Sequence, residues 1–411
     1  MRGRRARTRH TDGVNRLGLP APTRGAIETF VTRHLGHLVD RPVAGSPSIR
    51  GGQRCADAAL AGFDVSGYAA RRNEVAPLEQ RGASRLSPYI RHGLLTLGEV
   101  WDAVDGGPTR DVRKFRDELL WQEYARHWYA RLGSATAQPL RQRFATTAPG
   151  DGWDRMLPCL NAAVSELEHD GWLVNQARMW LASDWTVRNG QDWRRGEDRF
   201  FTHLLDGSRA ANRLGWQWTT GVGSSKPYGF SRWQVEKRAP QYCRQCPHRD
   251  ACPIEDWPDE RPTESVEWPP EIDLTGPSQV STIAEPEAVW LTAESLGHSD
   301  PALAAHPDLP VAFVFDEPLL ARLRLDGKRI VFLTETLAEL AEVRAVELYL
   351  GDPCIELQGR ALAVTHAPVP GFQTRAEALN PAETHPWPWL RTPRPGPLKS
   401  FTAWRKRVAP S

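Results

Sequence analysis

The hydrophobic pattern of the chain changes in kind near residue 260. Between about residues 23 and 257, apolar residues recur every three to four positions, which is the period of amphipathic helices. The clearest example is the segment KFRDELLWQEYARHWYARL (114–132). This part of the chain is therefore predicted to be helical.

After residue 287 the apolar residues form short runs rich in β-branched side chains, a pattern that predicts buried strands. Helix-like segments such as TETLAELAEV (334–343) lie between these runs, and that alternation indicates βαβ units and a parallel sheet. The predicted strands are AVWL (288–291), LPVAFVFD (309–316), RIVFL (329–333) and AVELYL (345–350).

Composition shifts along the chain predict five regions. The stretch between the two patterned regions is acidic and rich in proline, serine and threonine, as linkers often are. We expect a basic disordered tail (1–22), a helical domain (23–257), a linker (258–287), an α/β domain (288–375) and a Pro/Trp-rich tail (376–411).

The small net charge of +2 conceals an asymmetry. Residues 1–250 carry 38 Lys and Arg against 26 Asp and Glu, a difference of +12, whereas residues 251–411 carry 14 against 24, a difference of −10. Two differently charged solvated surfaces would give this pattern. A basic half that neutralises nucleic-acid phosphates would also give it.

Neither a secretory signal nor a membrane span is predicted. The basic start MRGRRARTRH is followed by no apolar segment, and no run of 18 apolar residues occurs. We therefore expect a cytoplasmic, monomeric protein. In that reducing compartment, clustered cysteines indicate a metal site more than disulfides.

Such a cluster occurs in QYCRQCPHRDAC (241–252), which holds Cys243, Cys246 and Cys252. Thiolates suit either Zn²⁺ or an iron–sulfur cluster, and His248 would permit a zinc site of three cysteines and one histidine. Free thiols are the remaining interpretation.

Four segments, in order, give the helical region a resemblance to a known family. Together they resemble the flavin-binding domain of photolyases and cryptochromes. The segments are RGASRLSPYIRHGLL (81–95), FRDELLWQEYARH (115–127), HDGWLVNQARM (169–179) and DWRRGEDRFFTHLLDGSRAANRLGWQW (192–218). The resemblance implies an all-helical FAD-binding domain followed by a smaller Rossmann-like α/β domain.

The resemblance implies a set of FAD-binding residues. An Arg178–Asp206 ion pair would lie against the flavin, and the Asn212 amide would face its reactive ring nitrogen. Two departures from the family pattern are Ala83 in place of threonine and Ser208 in place of an acidic residue. The implied set is Tyr68, Ser84, Arg85, Leu86, Ser87, Asn175, Arg178, Asp206 and Asn212.

The serines admit a second interpretation, because Ser84 and Ser87 at a helix start can cap that helix as well as bind a diphosphate. An ordinary surface ion pair and a turn asparagine are the corresponding alternatives for Arg178, Asp206 and Asn212.

The resemblance also implies a cavity for a flipped-out pyrimidine dimer. Trp121 and Trp218 would be its aromatic walls, with Glu118 bonding the bases and Gln122 standing where the family has arginine. Stacking on these rings, worth about 1–3 kcal/mol per base, would offset the stacking energy that a base loses when it leaves the duplex. The alternative is that these tryptophans pack in the core.

Trp216 and Trp193 match the first two members of the family's electron-transfer chain. The third member has no match at its usual place, and Trp180 or Trp185 are candidates for it.

One branch of the family carries a [4Fe–4S] cluster on four cysteines, and this resemblance adds Cys159 to Cys243, Cys246 and Cys252. Zinc remains the alternative. The paired histidines usual in that branch are absent, since Leu173, Val174 and Asn175 stand there. The sequence is thus a mosaic of branches.

The α/β region resembles the family's antenna domain, beginning at VWLTAESLGHSDPAL (289–303) and ending at FTAWRKRV (401–408). Because that domain comes first in the family, we predict a circular permutation; an unrelated α/β domain is the alternative. The usual Arg-Asp-Leu-Arg run is replaced by TAESL, which argues against an antenna chromophore.

Three functions compete. The first is a blue-light-dependent photolyase acting on damaged single- or double-stranded DNA. The second is a cryptochrome-like photosensor without repair activity, which the residues Gln122 and Ser208 favour. The third is a flavin-free, metal-stabilised nucleic-acid binding module.

Overall fold

The computed structural model describes residues 15–147, 152–258 and 263–408, and its first part is helical. A π-helical turn, Asp184–Arg188, continues α8. The α-helices of this part are α1 (Arg24–Leu35), α2 (Gln53–Ala61), α3 (Tyr68–Arg71), α4 (Ser87–Arg91), α5 (Leu97–Asp102), α6 (Thr109–Leu132), α7 (Pro158–Asp170), α8 (Asn175–Ser183), α9 (Trp193–His203), α10 (Ala211–Thr220), α11 (Arg232–Arg238) and α12 (Pro240–Arg244).

The strands and the remaining helices belong mostly to the second part. The strands are β1 (Arg16–Leu17), β2 (Gln142–Phe144), β3 (Thr263–Ser265), β4 (Ser281–Thr282), β5 (Ala288–Leu291), β6 (Val311–Asp316), β7 (Val346–Gly351), β8 (Leu362–Thr365) and β9 (Glu383–His385). The helices are α13 (Pro301–Ala305), α14 (Glu317–Leu323), α15 (Gly327–Leu340), α16 (Pro353–Glu356), α17 (Pro370–Leu379) and α18 (Phe401–Val408).

The main sheet has the order β1-β7-β6-β5-β8-β9-β4, and its five inner strands are parallel. Numbered along the chain from β5, the inner strands follow the order 3-2-1-4-5 of a Rossmann-like sheet. The antiparallel strands β1 and β4 close the edges. The predicted fold class, a helical domain followed by a Rossmann-like α/β domain, is confirmed.

The strand prediction for RIVFL (329–333) is wrong, because these residues belong to α15. Nearly every residue of α15 is buried, since the helix lies between the sheet and the helical domain. Because this helix is buried on nearly every side, its apolar run RIVFL shows no polar face, and the 3.6-residue period that reveals a helix in sequence is lost there. Gly51 allows the close approach, because a Cβ there would lie 2.0 Å from the Phe332 carbonyl oxygen.

Buried polar contacts join the two domains along α15. The Glu335 carboxylate pairs with Arg24 at 3.0 Å and accepts a hydrogen bond from the Gly51 backbone N–H at 2.8 Å. At the start of α15, Asp326 lies 3.0 Å from His203 of α9. The domains therefore share one core.

The predicted tails and linker contain regular structure in their described parts. Strand β1 pairs with β7, so residues 16–17 belong to the sheet and not to a disordered tail; residues 1–14 lie outside the described residues. Within 263–287, β3 pairs with β2 of the helical domain and β4 pairs with β9. After residue 376 come β9 and α18. Backbone hydrogen bonds order these polar segments, although their pattern of apolar residues has no period that would have predicted a strand or a helix.

None of the described helices combines the length and the apolar character that a membrane crossing requires.

Candidate functional site

The loop between α9 and α10 carries an Asp-Gly turn that is fixed from several sides. Arg178 of α8 donates to the Asp206 carboxylate at 2.7 Å, so the expected ion pair forms. The carbonyl oxygen of the next residue, Gly207, accepts from Arg91 at 2.9 Å and from Arg329 of α15 at 2.8 Å. Both domains thus hold this turn.

Polar atoms beside this turn are buried without a hydrogen-bond partner. Asn212 and Asp206 are each 8% exposed, and the Asn212 Nδ2 and Asp206 Oδ1 atoms have no partner. Buried polar groups are normally bonded, and an unmade bond costs about 1–3 kcal/mol. Within the described residues, α10 thus offers a free amide donor and the turn before it a free carboxylate acceptor. Such groups suit the polar edge of a flavin ring, so these residues fit FAD.

The segment 84–87 lies against the same region. The Trp172 indole N–H donates to the Ser87 hydroxyl at 3.1 Å, and the Arg85 guanidinium lies 5.0 Å from the Trp172 ring centroid. The capping alternative is not observed, because the N-cap of α4 is Leu86 and no side chain caps that helix. The Ser84 hydroxyl accepts only from the Leu86 N–H, at 3.4 Å.

Tyr68 and Glu118 lie together where α3 meets α6. The Tyr68 ring packs edge-on against Phe115 at 5.0 Å, and burial, followed by the Glu118 charge, raises the pKa of Tyr68. Glu118 is paired with Arg72 at 3.3 Å and with Lys114 at 2.6 Å. Its carboxylate is therefore already engaged by two cationic side chains.

Asn175, at the start of α8, is exposed, and its amide points to the Met179 sulfur at 3.5 Å. It makes no contact with the Arg178–Asp206 pair among those recorded for the described residues.

The two predicted cavity walls differ in environment. Trp218 of α10 is 44% exposed, and its ring lies 6.1 Å from that of Tyr228. Trp121 of α6 is partly buried because Phe401 of α18 stacks on it, at 3.9 Å between centroids and 11° between planes. One indole face of Trp121 is thus covered by α18, in the C-terminal segment of the chain; the partly buried Gln122 follows Trp121. Sequence reasoning assigned no role to Phe401.

The predicted electron-transfer residues lie on α9 and α10. Trp216 is 1% exposed, packs edge-on against Phe200 at 5.1 Å, and leaves its indole N–H without a partner. Trp193 forms part of the wall of a cavity of about 530 Å³.

The structure also shows a second aromatic route from Trp216. A Cβ placed on Gly196 would lie 2.2 Å from Trp216 and 3.1 Å from Trp185, so the two indoles flank this glycine. Trp185 in turn lies 4.8 Å from Trp153 between centroids. Trp185 was a candidate from sequence; Trp153 was missed, since nothing in the sequence relates it to α9.

The four predicted cysteine ligands surround one small cavity. Cys159 of α7 and Cys243 of α12 line it with Cys246 and Cys252. Burial raises the pKa of Cys159 to about 12 and that of Cys243 to about 11, so metal binding would have to displace thiol protons.

The spacing of the sulfurs bears on the kind of metal centre. A tetrahedral zinc with bonds of about 2.3 Å holds its sulfurs roughly 3.8 Å apart. Within the described residues, no three of these sulfurs lie within 4.8 Å of one another, with or without His248. The sulfurs would therefore have to move to hold a single tetrahedral ion, and four thiolates are a donor set that fits [4Fe–4S].

Comparison with known proteins identifies the helical domain. The family model for the FAD binding domain of DNA photolyase matches residues 115–243. This part of the chain is therefore similar to the FAD-binding domain of the photolyase/cryptochrome family. It is 33% identical over 204 residues to a deoxyribodipyrimidine photo-lyase of Thermus thermophilus, covering 46% of this chain and 48% of the relative.

A deoxyribodipyrimidine photo-lyase of Synechococcus is 31% identical over 188 residues, covering 42% of this chain and 37% of the relative. The chain thus spans about half or less of the length of these photolyases.

Solved structures resemble the chain over about half of its length. A class III photolyase from Agrobacterium tumefaciens matches with 26% identity and a TM-score of 0.40, over 47% of this chain and 44% of that one. A cryptochrome from Synechocystis matches with 21% identity and a TM-score of 0.44, over 49% and 46%. The circular permutation stays a prediction, because the family model matches residues 115–243 and not the α/β domain.

Proposed function

We propose that this chain is a blue-light-dependent DNA photolyase that splits pyrimidine dimers. The observation that supports it best is that Asn212 Nδ2 and Asp206 Oδ1 are buried without a partner among the described residues, within the matched FAD-binding domain. Reduced FAD, when bound, would supply the photoexcited electron. The protein's own residues would bind and orient the flavin and exclude water from it.

The proposed division of work follows from the contacts. Arg178 holds Asp206 by their ion pair, and the Asn212 amide N–H remains free to donate to the ring system. Trp218 offers an open aromatic face for a flipped base, worth about 1–3 kcal/mol. Glu118 would accept a hydrogen bond from that base, sharing its carboxylate with Arg72 and Lys114.

We further propose that the four cysteines bind a [4Fe–4S] cluster that fastens α12 onto α7. Cys159 and Cys243 lie 84 positions apart in sequence, so a cluster would close a long loop of the chain. Iron and sulfide analysis tests this proposal. About four of each per chain would support it, and stoichiometric zinc without sulfide would refute it.

Repair is tested by illuminating the purified protein, with its flavin reduced, in the presence of an oligothymidine that contains cyclobutane dimers. We expect light-dependent loss of dimers. Trp218→Ala should abolish repair and leave flavin absorption unchanged. Trp233→Ala is the matched control, since Trp233 is also exposed, at 55%, but lies on α11. A protein without bound flavin would refute the proposal.

A cryptochrome-like photosensor is the second candidate, and the covered face of Trp121 favours it. A wild-type protein that binds flavin and responds to light but leaves every dimer intact would select this function.

A further inference from the structure

Three potential metal ligands meet in the α/β domain, far from the residues assigned above. His306 directly follows α13, and Glu383 and His385 lie on β9 with one residue between them. The His306 Nε2 atom lies 2.7 Å from the Glu383 Oε1 atom, and the His385 Nε2 atom contacts the same oxygen. All three ligand atoms lie within 4.8 Å of one another.

The backbone holds His306 in place. Arg344 donates to three carbonyl oxygens around it: those of Leu303 at 2.9 Å, Leu309 at 2.7 Å and His306 itself. A loop whose carbonyls share one guanidinium has little freedom, so the His306 imidazole is presented from a fixed position.

The two strand ligands are fixed by the sheet. In the parallel β8–β9 pair, His385 is the register partner of Thr365, and its carbonyl accepts from the His366 N–H at 2.9 Å. Residues two apart on a strand project to the same face, so Glu383 and His385 reach the same point. Their side chains are only 12% and 7% exposed, and that of His306 is 22% exposed.

We propose that His306, Glu383 and His385 bind a divalent transition metal ion of the zinc type. Two imidazoles and one carboxylate form a donor set that such ions take, and three protein ligands leave a fourth position for water. At bond lengths of about 2.0–2.2 Å, tetrahedral ligands lie roughly 3.3 Å apart. The hydrogen-bonded side chains therefore need to separate by less than about 1 Å.

The ion would clamp the end of α13 to β9. Both ligand groups lie at the amino ends of parallel strands, since His306 precedes β6 and Glu383 begins β9. This site has no part in the proposed light-driven reaction, so it stands or fails independently of that proposal.

The test is a titration of the full-length protein with Zn²⁺, followed by metal analysis and zinc X-ray absorption. We expect one zinc per chain with a nitrogen and oxygen shell near 2.0–2.1 Å. His306→Ala, whose side chain is the most exposed of the three, should lower zinc affinity at least tenfold. His298→Ala is the matched control, since His298 is exposed and outside the triad.

Iron and sulfide content separates this site from the cysteines, because His306→Ala should leave both unchanged. A zinc shell that contains sulfur near 2.3 Å would place the ion on the cysteines and overturn the proposal. Equal zinc affinity in His306→Ala and wild type would overturn it as well. A wild-type protein that takes up no zinc would also overturn the proposal, and the three side chains would then form a hydrogen-bonded contact only. Thermal unfolding checks that the variant is folded.

Discussion

The packing between α9 and α10 is tested most directly by Gly196→Ala. The new Cβ would lie 2.2 Å from the Trp216 ring, about 1.3 Å short of an ordinary carbon contact of roughly 3.5 Å. Trp216 cannot yield, because it is 1% exposed and packs against Phe200. Overpacking of this kind costs about 1–3 kcal/mol. Replacing a helix glycine by alanine returns only about 0.5–1 kcal/mol, so we expect net destabilisation.

Gly215→Ala is the matched control, because Gly215 lies within α10 and nothing lies within 4 Å of a Cβ placed there. It should stabilise the protein by about 0.5–1 kcal/mol. Urea unfolding followed by circular dichroism measures both variants. The reasoning is refuted if Gly196→Ala is as stable as wild type, or if Gly215→Ala loses as much stability as Gly196→Ala.

Three further outcomes are expected. Burial raises the pKa of Asp184 to about 7, so the free energy of unfolding of the wild type falls as pH rises from about 4 to 7. Asp184→Asn should therefore be more stable than wild type by up to about 4 kcal/mol at pH 8 and equally stable at pH 4, as thermal unfolding at both pH values can check. If Trp185 passes electrons to Trp216 and so to the flavin, Trp185→Phe should slow flavin photoreduction severalfold in transient absorption, whereas an unchanged rate would assign the route to Trp193. Because Phe401 fixes the Trp121 ring, Phe401→Ala should weaken binding of dimer-containing DNA a few-fold in a gel-shift titration, and Phe401→Tyr is the control. Tighter binding by Phe401→Ala would instead show that α18 covers the lesion site.

The sequence allowed prediction of most of the fold where side-chain period follows burial. Helix α6 and strands β5, β6 and β7 lie where the patterns predicted them, because each has one buried face or is short and wholly buried. The first half of α15 failed this test, since its RIVFL run is buried and has the composition of a strand. The TETLAELAEV segment (334–343) was predicted as helical, and α15 includes its residues 334–340.

The candidate site was predicted less completely than the fold. The Arg178–Asp206 pair followed from a resemblance within one domain, and the structure forms it. Arg329 could not be found in this way, because it lies 122 positions from its acceptor Gly207 in a segment read as a strand. Phe401 was equally hidden, since its contact with Trp121 depends on how the C-terminal helix α18 packs on α6, 280 positions earlier in the sequence.

These cross-domain contacts change the role expected of the α/β domain. An antenna domain need only hold a chromophore near the flavin. Here, however, the buried guanidinium of Arg329 on α15 donates a hydrogen bond to the carbonyl oxygen of Gly207, the residue after Asp206. A buried charge of this kind is stable only while its hydrogen bonds are intact, because an uncompensated one is strongly destabilising. The position of the Asp206 carboxylate therefore depends on the docked α/β domain. A change in that domain can alter the proposed flavin site even if no antenna chromophore is bound.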